Sequence, residues 1–149
     1  MGQKIPLSIQ KFLNNQKLGY VATVSDDGTP NLSPKGTIIA WNDVTIAFAD
    51  IRSPNTMNNL EKNPSLEINV IDPLLRKGFR IKGNGTIVND GKTYEEILNH
   101  YREKGIKSPI GAIVLVEPSQ ILEVTSPLYD LGFSEEEMKA KWKKYFLDL

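Results

Sequence analysis

From Leu18 to Val124 the chain repeats one pattern: a short apolar run, a tight turn, and another apolar run. Leu18-Gly-Tyr-Val-Ala-Thr-Val24 is followed by Ser25-Asp-Asp-Gly-Thr-Pro30, where Asp27-Gly28 supplies the positive-φ position a hairpin needs. Asn31 to Ala40 reads as a second strand, interrupted at Pro34 and Gly36. Proline fits a central strand poorly, so Pro34 marks an edge, a bulge or a strand opening towards a ligand. Trp41-Asn42-Asp43 turns the chain into Val44–Ala49. Leu66-Glu-Ile-Asn-Val-Ile71 alternates apolar and polar, as a half-exposed strand does. Gly78–Val88 is a long strand, and Ile110–Val116 and Gln120–Val124 read as two more, hinged at Glu117-Pro-Ser119. Turns this short join antiparallel neighbours, because a parallel crossover needs a dozen or more residues. The expectation is a mainly β (α+β) fold of about seven strands in an antiparallel barrel, which removes the exposed edges of an open sheet.

Four helices punctuate the strands. Residues 6–16 place Ile9, Phe12 and Leu13 at i, i+3 and i+4, with Pro6 in the first turn. A second helix starts at Ser53-Pro54, serine as N-cap and proline at the first helical position, and stops at Asn63-Pro64. A third, 93–104, has Thr93 and Glu96 spaced as a capping box, with Tyr94, Ile97, Leu98 and Tyr101 on its apolar face and His100 beside it. The last, 134–146, has the Ser134–Glu137 capping box and puts Met138, Trp142 and Tyr145/Phe146 on one face. Asp72–Lys77 is a loop with two exposed-looking leucines. No repeat, low-complexity tract or linker divides the 149 residues, so one domain over 1–149 is expected.

Composition removes several function classes. Zero cysteines exclude thiolate catalysis, zinc fingers and iron–sulfur clusters, and a single histidine excludes a multi-histidine metal site. Eighteen basic residues balance eighteen acidic ones, leaving no bulk electrostatic argument for nucleic acid or an anionic membrane. No run reaches the roughly 18 apolar residues of a membrane span, and no signal core follows Met1–Pro6, so a cytoplasmic protein is expected. With one histidine there is no Ser/His/Asp logic. Gly83 and Gly85 lack the third glycine and the helix of a dinucleotide fingerprint.

What remains is a polar group gathered where the second and third strands meet the Ser53 helix: Ser33, Lys35, Thr37, Asp50, Arg52, Ser53, Thr56 and Asn59. A helix start has unpaired N–H groups and a positive dipole end, so it suits an anion. One lysine and one arginine with several hydroxyls suit a phosphomonoester better than an acid–base pair. Taken alone, the Phe48–Leu60 stretch reads more readily as a capped surface helix with a solvated arginine than as a ligand site. A phosphorylated cofactor carrying its own chemistry would reconcile a sparse catalytic inventory with a well-furnished anion site.

In order and spacing, Leu18–Lys35, Val44–Asp50, Arg52–Thr56, Asn59-Leu60 with Asn63-Pro64, and Phe79–Thr86 resemble the pyridoxamine 5′-phosphate oxidase-like family of flavin-binding split barrels, over roughly residues 5–130. The resemblance implies an antiparallel split β-barrel with peripheral helices, forming a homodimer with FMN in two clefts at the subunit interface. It places Ser33, Pro34, Lys35, Gly36 and Thr37 along the isoalloxazine and ribityl chain, and Phe48 and Ala49 beside the ring. Arg52, Ser53, Thr56 and Asn59 would hold the phosphate, and Pro127 and Tyr129 of the other subunit would cover the ring. The second strand lacks the oxidase's fuller set of basic residues, and the tail lacks its arginine–histidine element. The implied function is therefore an FMN-dependent oxidoreductase of unassigned substrate. The alternatives are a flavin-binding or electron-transfer protein without an organic substrate, or a deazaflavin or haem binder on the same fold.

Overall fold

The structure is a computed structural model and describes residues 2–149. Seven antiparallel strands form one sheet: β1 (Gly19–Val24), β2 (Pro30–Lys35), β3 (Ile39–Ala40), β4 (Ile46–Asp50), β5 (Ser65–Asp72), β6 (Lys77–Val88) and β7 (Ala112–Thr125). Their order is β2-β1-β5-β6-β7-β4-β3. Four helices accompany them: α1 (Leu7–Asn15), α2 (Pro54–Lys62), α3 (Lys92–Glu103) and α4 (Glu135–Leu147). The sheet curls into a half-barrel, the α+β split-barrel arrangement the strand pattern and the resemblance imply.

Two strand assignments change, and the changes offset in the total. The Asn31–Ala40 strand is two strands, β2 and β3, and they lie at opposite edges of the sheet. Only Gly36-Thr37-Ile38 joins them, so the two edges stand no more than about 14 Å apart at that point. This link crosses the split of the barrel. Conversely, the two strands expected around Pro118 are one strand, β7, with a bulge where Lys82 pairs with Gln120 but Gly83 pairs with Pro118. Ser119 is the extra residue, and its hydroxyl donates to the Lys82 carbonyl at 3.2 Å. A bulge tolerates proline because the ladder is already interrupted there. A Cβ on Gly83 would stand 2.5 Å from the Glu117 carbonyl oxygen, so this close approach depends on glycine.

Alternation along the strands sets two cores. Val21, Ile46, Phe48, Ile68, Val70, Ile81, Val114 and Val116 point into the barrel, with Ile5 and Leu13 of the N-terminal segment among them. The other face of β4 and β7 presents Ala47, Ala49 and Ile113 to Ile97 and Tyr101 of α3. β4 is thus buried on both sides, which is why Ile46–Ala49 reads as an unbroken apolar run.

Helix starts depart from the expected caps. α3 begins at Lys92 with Gly91 as N-cap at φ 94°, so Thr93 lies inside the first turn and makes no capping box. The α4 box is formed, Ser134 Oγ accepting from Glu137 N–H and Glu137 Oε1 from Ser134 N–H. Leu74 and Leu75 are half-buried, and the Tyr129 hydroxyl donates to the Leu75 carbonyl at 2.6 Å. Among the described residues no helix is long and apolar enough to cross a membrane, and no group of three or more His, Asp or Glu is placed to hold a metal ion.

Candidate functional site

Alternation along β2 turns Asn31, Ser33 and Lys35 inwards and Leu32 and Pro34 outwards. Lys35 is buried, and its ammonium makes no ion pair among the described residues. Burial pushes its pKa down, against the opposing pull of the Asp50 carboxylate. A buried ammonium held this way is costly to the fold, and an anion brought to it would offset that cost.

Asp50 ends β4 and organises the turn into α2. Its Oδ1 accepts from the Ser53 hydroxyl at 2.9 Å and from Ser53 N–H at 3.3 Å. Ser53 therefore occupies the N-cap position, as expected, without its side chain capping the helix. Pro54 has no N–H, and the first intrahelical bond runs from Met57 N–H to the Ser53 carbonyl. The N–H groups of Asn55 and Thr56 are left without an intrahelical acceptor, beside the exposed Arg52. On the outer side Gly111 N–H donates to the Asp50 carbonyl, and a Cβ on Gly111 would stand 3.1 Å from Asp50 Oδ2. The chemistry of this corner suits a phosphate: one exposed cation, free N–H groups at a helix start, and a buried ammonium within reach of the Asp50 carboxylate.

The remaining candidates divide. Thr37 is a structural latch on the split: its Oγ1 accepts from Ala49 N–H at 2.9 Å and its carbonyl from the Tyr101 hydroxyl at 2.7 Å. Phe48 is fully buried among the barrel side chains and Ala49 packs under α3, so these two present only backbone to anything outside. Thr56 and Asn59 lie on the inner side of α2, where Asn59 Nδ2 donates to Thr23 Oγ1 at 3.0 Å. Pro127 and Tyr129 sit in a 3-10 turn, Pro127–Leu131, beyond the Thr125 end of β7, whereas Asp50 pairs with Ala112 at its other end. The length of β7 separates them by roughly 40 Å of strand, so within one chain they do not meet the α2 corner.

Next to the Gly36–Ile38 link lies a cleft of about 680 Å³, lined by the end of α1, residues 36–41 and the end of α3. Lys17, Trp41, His100, Tyr101 and Lys104 contribute to it, and no carboxylate does. His100, half-buried, stands edge-on to Trp41 with ring centroids 5.7 Å apart. Sequence reasoning treated α3 as a packing helix and missed this wall. Tyr101 on an apolar face gave no sign that its hydroxyl would reach the split. That bond is worth testing: Tyr101→Phe should lower unfolding free energy by about 1–3 kcal/mol, the cost of leaving the Thr37 carbonyl unpaired. Burial also raises the Tyr101 pKa above its ordinary 10.0. The native state then holds this proton more tightly than the unfolded chain, so the stabilisation is complete below pH 10 and declines as pH rises beyond it. Urea unfolding at pH 8 and pH 10.5 should show that decline in the native protein and a smaller one in Tyr101→Phe.

The family model for pyridoxamine 5′-phosphate oxidase matches residues 5–125, which span every strand and both edges of the split. The chain belongs to this family. Among solved structures, HupZ of Group A Streptococcus is 29% identical, with TM-score 0.73 over 82% of this chain and 95% of that one. An FMN-binding protein from Syntrophomonas wolfei is 18% identical, with TM-score 0.70 over 80% and 86%. HutZ, the haem storage protein from Vibrio cholerae, is 18% identical, with TM-score 0.63 over 83% and 95%. The latter two likenesses show the fold. No curated protein sequence matches the chain. The family match ends at Thr125, the last residue of β7, so the 3-10 turn and α4 lie outside it.

Proposed function

We propose that this pyridoxamine 5′-phosphate oxidase family member is an FMN-dependent oxidoreductase. It works in the cytoplasm as a homodimer, with FMN at the split of the barrel. The observation that carries the reading is the α2 corner: Arg52 and the unpaired N–H groups of Asn55 and Thr56, backed by the buried Lys35. In this reading Arg52 and the α2 start hold the phosphate, while Ser33, Lys35 and the backbone of Gly36 and Thr37 run along the rest of the cofactor. Bound FMN supplies the hydride or electron chemistry, which agrees with a chain that has no acid–base pair of its own at the site. The adjoining cleft, with Lys17, His100 and Lys104 and no carboxylate, selects a small anionic substrate with a flat or apolar body to lie on Trp41.

Titration of apo-protein with FMN, followed by flavin fluorescence, tests the reading. Arg52→Ala should weaken binding by about 1.5–3 kcal/mol, the range for a hydrogen bond to a charged group. Protein that takes up no FMN, or an Arg52→Ala variant with undiminished affinity, would remove the basis of the assignment. A haem reading would rest on His100 at the cleft. A strong absorption band near the haem maximum after incubation with haemin, lost in His100→Ala, with no FMN uptake, would favour it.

A further inference from the structure

Between β2 and β3 the chain has no ladder to hold it, since Gly36, Thr37 and Ile38 leave one edge of the sheet and arrive at the other. What holds this link comes from neighbouring elements. From α3, the Tyr101 hydroxyl donates to the Thr37 carbonyl at 2.7 Å. From β4, Ala49 N–H donates to Thr37 Oγ1 at 2.9 Å. From α1, the Asn14 side chain reaches Ala40: its Oδ1 accepts from Ala40 N–H at 2.8 Å and its Nδ2 donates to the Ala40 carbonyl at 3.4 Å. β3 is the last strand of the sheet and pairs only with β4. One carboxamide therefore offers Ala40 the acceptor and the donor that a further strand would have supplied.

The helix behind Asn14 is well anchored. Ile5 N–H donates to the Asp43 carbonyl at 2.7 Å, and the Ile5 carbonyl accepts from Gln10 Nε2 at 2.8 Å. Ile5 and Leu13 are each 1% exposed in the barrel core, so Asn14 stands on a packed helix although it is itself exposed. Asparagine at this position does little for α1 itself, because it is a weaker helix former than alanine. The bond that closes α1 runs from Gln16 N–H to the Phe12 carbonyl and leaves Asn14 out. Its polar atoms are spent on the link. We infer that Asn14 is a positioning residue for the cofactor. With Tyr101 it fixes the two ends of the Thr37–Ala40 stretch, and so the backbone of Gly36 and Thr37 along which FMN lies. This rests on the FMN reading above and assigns it a residue that acts only through the link. A binding wall holds its ligand only as closely as its supports hold the wall, and a looseness of about 1 Å is enough to spoil a site.

Three variants separate positioning from stability: Asn14→Ala, Tyr101→Phe and, as the control, Ile9→Ala, which removes core packing from the same helix without touching the link. Ile9→Ala should lower the melting temperature of FMN-free protein more than Asn14→Ala does, yet leave the FMN dissociation constant within about twofold of native. Asn14→Ala should raise that constant at least fivefold and change the visible circular dichroism of the bound flavin, which reports how the ring is held. Tyr101→Phe should do the same from the other end of the stretch. Native protein that takes up no FMN would overturn the FMN reading and this role with it. Native protein that binds FMN, with unchanged affinity and dichroism in Asn14→Ala, would overturn the positioning role alone. An Ile9→Ala protein weakened in FMN binding as much as Asn14→Ala would overturn it too, because a loosened helix would then account for the loss.

Discussion

Phe48→Ala is expected to lower the unfolding free energy by about 3–5 kcal/mol, the range for truncating a buried phenylalanine, while changing FMN affinity of the folded protein by less than tenfold. Phe48 is wholly inaccessible and packs among the barrel residues, with Val114 its partner across the β4–β7 ladder. Its ring lies in the barrel core, so only its backbone would border a cofactor bound at the split. A loss of this size is a large part of the 5–15 kcal/mol that holds an ordinary domain together. Urea unfolding with and without saturating FMN separates the two effects. A small stability change accompanied by a large affinity loss would return the ring to the cofactor wall, where the resemblance alone had set it.

Gly78→Ala should be nearly as damaging, at roughly 3 kcal/mol or more. A Cβ there would collide with the Val70 carbonyl oxygen and stand 2.8 Å from the Ile71 Cα, both backbone atoms that cannot step aside. The β5–β6 hairpin would have to open at the end where Arg76, at φ 55°, stacks on Trp142. The Lys77–Glu135 pair at 3.0 Å and the Tyr129–Leu75 hydrogen bond belong to the same corner. The variant should therefore show a lowered melting temperature together with a red-shifted Trp142 emission as α4 comes loose. Native-like emission at an unchanged melting temperature would mean that the hairpin relaxes at little cost.

Much of this fold is legible in the chain. Asp27-Gly28 makes a turn in the expected place, with Gly28 at φ 82°, and Leu66–Ile71 alternates in burial as it does in polarity. These signals are local, because a turn or a strand face is decided by neighbours two to four residues away. The corner at Asp50–Ser53 was legible for the same reason: the strand end, the cap and the proline are adjacent. Pro34 and Gly36 marked an interruption correctly. They could not tell that the chain on either side would join opposite edges of the sheet, since strand pairing is a long-range choice. Pro118 misled in the other direction, because a bulge opposite Gly83 lets a proline stay inside one strand.

By itself the sequence determined that this chain builds an antiparallel sheet from short hairpins and puts a free helix start beside Arg52, and its motif order marked the family. Tertiary structure alone decided what each polar group does there. Ser53 is claimed by Asp50, Asn59 by Thr23 and Thr37 by Ala49 and Tyr101, which leaves Arg52, two backbone N–H groups and a buried Lys35 for an anion. The reason is physical. Residue type states what a side chain can bond, whereas the partner it bonds is set by which distant strand or helix the curl of the sheet brings within 3 Å.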